Sequence, residues 1–109
     1  MIYTILITGH PQHSRANQLA IDCCEAILAK GEQIYQIFFM HDAAFTAVGS
    51  QAQYWLDLSN KHNIPLQMCI SSVEARGLAV EGFDQGFQTD GLSSLADAVL
   101  SSDVVKQYG

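Results

Sequence analysis

The sequence predicts an α/β domain: one three-layer α/β/α unit over residues 1–109, with a mostly parallel sheet of flavodoxin-like topology. Three observations predict it. Ile2–Thr8 and Gln33–Met40 are near-continuous apolar, β-branched runs, the pattern of parallel strands covered on both faces. Between them, apolar residues recur at helical spacing, which makes a βαβ unit with an expected right-handed crossover. A third apolar run, Leu66–Ile70, passes straight into a short helical stretch. Strands alternating with helices are the pattern of a parallel sheet with helices on its faces.

Composition narrows the class further. A chain of 109 residues holds one core. At 49% apolar it is not disordered. It has no apolar run of about 18 residues, so no membrane-spanning helix is expected. Met1–Ile7 carries neither a basic segment nor a small-residue cleavage site, so no signal peptide is expected and the location reads as cytoplasmic. Three cysteines, without a Cys-x-x-Cys, argue against a disulfide framework and a zinc knuckle. Net charge is −6 and the five basic residues are scattered, which argues against direct nucleic-acid binding. Charged residues are only 15%, a hint of surface covered by partner subunits.

In order, the first strand ends at Gly9 and a loop follows. Ser14 is placed to cap a helix with Ala16, Leu19, Ala20, Cys23, Ala26 and Ile27 on one face, stopped by Lys30-Gly31. Cys23 and Cys24 read as packing residues on or beside that face. The second strand ends at Met40, and Ala43–Gly49 reads as a small-residue loop containing Phe45. Ser50 opens a helix to about His62, with Ala52, Trp55 and Leu58 inward. Val80–Asp90 has little pattern and reads as a long loop, with Phe83 and Phe87 either tucked into the core or offered to a partner or lid. Asp90 caps a last helix with Leu92, Leu95, Ala96, Val99 and Leu100 as its stripe. Val104–Lys106 is a short final strand suited to a sheet edge. That makes four strands.

The stretch from Ile64 to Gly77 carries the chemistry. Ser71 stands three residues before Glu74, the spacing of a capping box, and Gly77 follows Arg76 as a helix stop. Cys69 then lies just ahead of a helix N-terminus, where free N–H groups favour a thiolate. In a parallel sheet it also lies at the carboxyl edge, where open α/β folds bind ligands. The plainer reading of Cys69 is a small buried hydrophobe. His10 and His41 follow the first two strands and reach the same edge. Each is a candidate to assist Cys69, or a solvated loop residue.

Other chemistries lack their residues. The Thr8–Ser14 loop has one glycine, and Pro11 removes an N–H that a phosphate nest would use. No G-x-G-x-x-G or P-loop pattern is present, so no nucleotide or flavin cofactor is expected. A metal site from His10, His41 and Cys69 is a secondary reading.

The chain resembles the DsrE-like sulfur-relay family over essentially its whole length. The resemblance rests on the opening strand with Thr8-Gly9, on Phe38-Phe39, and on Ile64–Cys69 with Arg76-Gly77 after it. It continues through Gln85-Gly86-Phe87, Gly91-Leu92 and Asp103-Val104-Val105. The Phe45–Gln53 stretch is shorter than the resemblance leads one to expect. The resemblance implies a sulfurtransferase in which Cys69 carries sulfur as a persulfide. It implies TusB-like and TusC-like subunits in a heterohexamer, a TusA-like donor and a TusE-like acceptor, serving 2-thiouridine formation in tRNA. Relatives in sulfur oxidisers imply an alternative role in dissimilatory sulfur metabolism, and a non-catalytic structural subunit is a further alternative.

Overall fold

Five strands and their helices follow one another in the alternating order that the apolar runs predict. They are β1 (Ile2–Ile7), α1 (Ala16–Ala29), β2 (Gln33–Phe39), a 3₁₀ helix (His41–Val48), α2 (Ala52–His62), β3 (Leu66–Cys69), α3 (Ile70–Ala75), β4 (Phe87–Asp90), α4 (Leu92–Ser101) and β5 (Val104–Tyr108). The structure is a computed structural model and describes residues 1–79 and 86–109.

The strands form one sheet, in the order β4-β3-β2-β1-β5, and every pairing is parallel. From β1 to β4 each strand is laid beside the last in one direction, and β5 then returns to the far side of β1. Right-handed crossovers therefore put α1, α2 and α3 on one face and α4 alone on the other. The layout is flavodoxin-like in having one strand beyond β1, but here that flanking strand is the last rather than the second.

Strand alternation divides the core accordingly. Ile5 and Ile7 join Ala20, Cys24 and Ile27 of α1, Trp55 of α2 and Val73 of α3 in one buried cluster. Thr4 points the other way, and its hydroxyl donates to the Ala98 carbonyl of α4 at 3.3 Å. A bulge at Tyr35 lets β2 serve both faces: Tyr3 pairs with Ile34 but Thr4 with Gln36. Ile34, Ile37 and Phe39 consequently reach the large cluster, while the Tyr35 hydroxyl donates to Asp97 of α4 at 2.8 Å.

Several expectations are corrected. Phe87–Asp90 is a fifth strand rather than loop, and Phe87 is buried with its ring edge-on to Phe39 at 5.8 Å. Only the sheet reveals it, because four residues with one apolar side chain show no strand period. The rest of that predicted loop, residues 80–85, lies outside the described residues. Ala43–Gly49 is largely 3₁₀ helix. The inward face of α1 is turned by one residue from the predicted one: Cys24 is fully buried, Cys23 half-buried and Leu19 exposed. This helix is apolar nearly all round, so its period does not single out one face. In α4 only Ala98 is fully buried, and Leu92, Val99 and Leu100 are exposed. A small residue is what allows α4 to lie close over Thr4.

Helix ends follow local chemistry. Ser14 Oγ accepts from the Ala16 N–H at 3.0 Å, one residue upstream of the formal cap. Gly31, at φ 75, closes α1, with the Glu32 N–H donating to the Ile27 carbonyl at 3.2 Å. The β1–α1 turn is tight: a Cβ on Gly9 would lie 2.7 Å from Ala16 Cβ.

Candidate functional site

Cys69 is the last residue of β3 and the N-cap of α3. α3 begins at Ile70, so Ser71 falls inside its first turn, and the predicted Ser71–Glu74 capping box does not form. The cysteine itself occupies the cap position, closer to the free N–H groups of the helix than the sequence suggested. Its register partner on β4 is Asp90. The side chain alternates with Leu66 and Met68, so it turns away from the large cluster toward the α4 side.

There it lines a cup of about 380 Å³ at the carboxyl edge of the sheet. Met40 follows β2, His41 opens the 3₁₀ helix, Ser71, Ser72 and Ala75 belong to α3 with Arg76 as its C-cap, and Leu92 comes from the first turn of α4. Cys69 is 5% exposed, so a reagent meets it only through this cup.

Hydrogen bonds hold the cup together. His41 adopts φ 54, which an L-residue takes at a cost, and its backbone N–H donates to Ser72 Oγ at 2.8 Å. Arg76 Nε donates to Asp42 Oδ1 at 2.9 Å, and its Nη1 donates to the Ser72 carbonyl at 3.2 Å. The 3₁₀ helix after β2 is thereby tied to α3 and its C-cap.

Of the two candidate histidines, the structure brings His41 to Cys69 and leaves His10 elsewhere. The His10 ring packs at a tilt against His13, with centroids 4.3 Å apart, and against Phe45, at 5.2 Å. Among the described residues no group of three His, Cys, Asp or Glu side chains is placed to hold a metal ion, so the His10–His41–Cys69 centre is not assembled. Sequence reasoning missed Asp42 and Leu92 as parts of the site. The signal for Asp42 was its place next to His41; nothing local marked Leu92.

The other cysteines occupy a different environment. Burial first, and then Cys23 and Glu25, push the Cys24 thiol up to about 12. That keeps it protonated and unreactive at neutral pH. Burial, with Cys23 beside it, raises the Tyr108 hydroxyl to about 12.

Fold and site together define a parallel α/β domain with a shielded cysteine at the carboxyl edge of its sheet. The chain belongs to the DsrE/DsrF-like family, whose model matches residues 1–106. Among curated proteins it is similar to sulfurtransferase TusD of Proteus mirabilis, at 30% identity over 99% of this chain and 98% of that one. It is similar also to sulfurtransferase TusD of Serratia proteamaculans, at 28% over 97% and 98%. A TusD homolog of Aliivibrio fischeri is 27% identical over 99% and 98%. The first and last of these alignments run over 128 positions against 109 residues here, so those relatives carry insertions relative to this chain. Among solved structures, the fold matches the ychN protein of E. coli with a TM-score of 0.82 at 21% identity, covering 99% of this chain and 100% of that one.

Proposed function

We propose that this protein is a sulfurtransferase subunit in which Cys69 accepts sulfane sulfur as a persulfide and passes it to a carrier protein. The observation that carries the reading is the position of Cys69: a cysteine at the N-cap position of α3 that lines a cup at the carboxyl edge of the sheet. Membership of the DsrE/DsrF-like family, and the sulfurtransferase names of its relatives, support it.

In the accepting step the Cys69 thiolate attacks the terminal sulfur of a donor persulfide. A new S–S bond forms on Cys69, the donor's S–S bond breaks, and the donor leaves as a thiolate. In the second step an acceptor thiolate attacks the terminal sulfur on Cys69, and the Cys69 thiolate leaves. Atoms and electrons balance without an external oxidant. In this reading the sulfur serves 2-thiolation of the tRNA wobble uridine in the cytoplasm, as the resemblance to the sulfur-relay family implies. The donor would be TusA-like, the acceptor TusE-like, and TusB-like and TusC-like subunits would complete a heterohexamer.

The test is intact-mass spectrometry after incubation with a cysteine desulfurase, cysteine and a TusA-like donor. The expected result is one added sulfur, removed by reductant and mapped to Cys69. It should be lost in Cys69→Ser and kept in Cys23→Ser and Cys24→Ser. Equal labelling of all three cysteines would refute the reading. A second reading, favoured by the 5% exposure of Cys69, is that this thiol only packs within a non-catalytic subunit. It requires that no sulfur be taken up, even with partner subunits co-expressed, and that iodoacetamide modify Cys69 only on unfolding.

A further inference from the structure

We propose that Arg76 is the anion-binding group of the Cys69 cup, donating to the terminal sulfur of the Cys69 persulfide; this rests on the persulfide reading above. Among the described residues that line the cup, Arg76 is the one with a permanent positive charge. Its neighbours Met40, Ala75 and Leu92 are apolar, and Ser71, Ser72 and His41 complete the wall. A cation on a largely apolar wall has less competition from water for a bound anion than one on open surface.

Arg76 is also held in place. Nε is fixed by Asp42 at 2.9 Å and Nη1 by the Ser72 carbonyl at 3.2 Å. A guanidinium has five N–H donors in a rigid fork, so these two bonds orient the plane and leave others to give. Among the described residues, Nη2 donates to nothing.

The chemistry places charge where such a donor is useful. Transfer adds one S–S bond, about 2.05 Å, beyond Cys69 Sγ. A hydropersulfide is more acidic than a thiol, so the added sulfur carries the negative charge, out in the cup rather than at the base of the strand. α3 is six residues long, and no side-chain hydrogen bond joins its N-cap, Cys69, to its N–H groups. Arg76 meets the charge at its outer position. When an acceptor thiolate takes that sulfur, the negative charge returns to Cys69 Sγ as its S–S bond breaks, and the Arg76 proton stays on nitrogen throughout. Asp42 acts through Arg76 as a positioning residue.

The experiment compares the full chain with Arg76→Met, Arg76→Lys and Asp42→Asn, each loaded with inorganic polysulfide. Intact mass gives the fraction persulfidated at Cys69, and iodoacetamide trapping across pH gives the midpoint of persulfide ionisation. Loss of one charge-assisted hydrogen bond should lower loading of Arg76→Met at neutral pH by roughly five-fold and raise the midpoint. Arg76→Lys should recover most of both, and Asp42→Asn should fall between. Loading and midpoint in Arg76→Met equal to the unmodified chain would overturn the proposal and make Arg76 a structural tie. Should Arg76→Met fail to fold, an unchanged midpoint in Asp42→Asn would overturn it equally. If the unmodified chain takes up no sulfur at all, the persulfide reading itself fails, a result distinct from failure of the Arg76 assignment alone.

Discussion

Ser72→Ala is the sharpest probe of the cup. Ser72 is 5% exposed, and its Oγ accepts the His41 N–H at 2.8 Å. Removing the hydroxyl leaves that N–H without its partner, a cost of about 1–3 kcal/mol for a buried donor. His41 is exposed, so water meets part of the demand and the low end, about 1 kcal/mol, applies. His41 also sits at φ 54, a conformation costing an L-residue about 1–2 kcal/mol, and this bond anchors it there. The expected loss is therefore about 1–2 kcal/mol, or about 4–8 °C in melting temperature per kcal/mol for a domain near this size. His41→Gly in the Ser72→Ala background should return about 1 kcal/mol, because glycine adopts positive φ without the penalty. Thermal melts of the single and double variants measure both effects, and polysulfide loading of Cys69 shows whether the cup loosens with them. A change in melting temperature within about 1 °C, with no gain from His41→Gly, would refute the argument that Ser72 holds His41 in its strained conformation.

Two further expectations concern the core. Trp55→Ala should cost about 3–5 kcal/mol in chemical denaturation, since the indole is fully buried and packs edge-on to Phe39 at 5.5 Å and Tyr54 at 5.7 Å. Alkaline pH should destabilise the fold through Cys24. Burial raises this thiol from 9.0 to about 12, so its neutral form is favoured when folded; the stabilisation is full below pH 9.0 and is lost as pH rises toward 12. Denaturant midpoints measured along that range should fall, and less steeply in Cys24→Ala.

Where one side chain or one short run carries the signal, the sequence was informative. The β-branched runs of β1 and β2, Gly31 at the end of α1 and the strand-to-helix junction at Cys69 all follow from local rules: strand period, left-handed φ, and the change from strand to helix spacing. The expected edge strand at Val104–Lys106 is β5, at the edge of the sheet. β4 was illegible because Phe87–Asp90 owes its extended form to pairing with β3. The α1 and α4 faces were misread because apolar residues surround both helices, and only the sheet beneath chooses which side is buried.

The sequence by itself determined an α/β chain, the family it belongs to, and the cysteine at a strand end. Those depend on residues close together in the chain, where period, capping and turn chemistry act. The tertiary structure alone decided which histidine stands by Cys69, that Asp42 and Ser72 grip Arg76, and that Leu92 closes the far wall. The cup gathers its residues from β3, α3, α4 and the turn that follows β2, and strand order brings those ends together. Strand order follows from burying apolar surface on both faces of a twisted sheet, a property of the whole chain that no local stretch encodes.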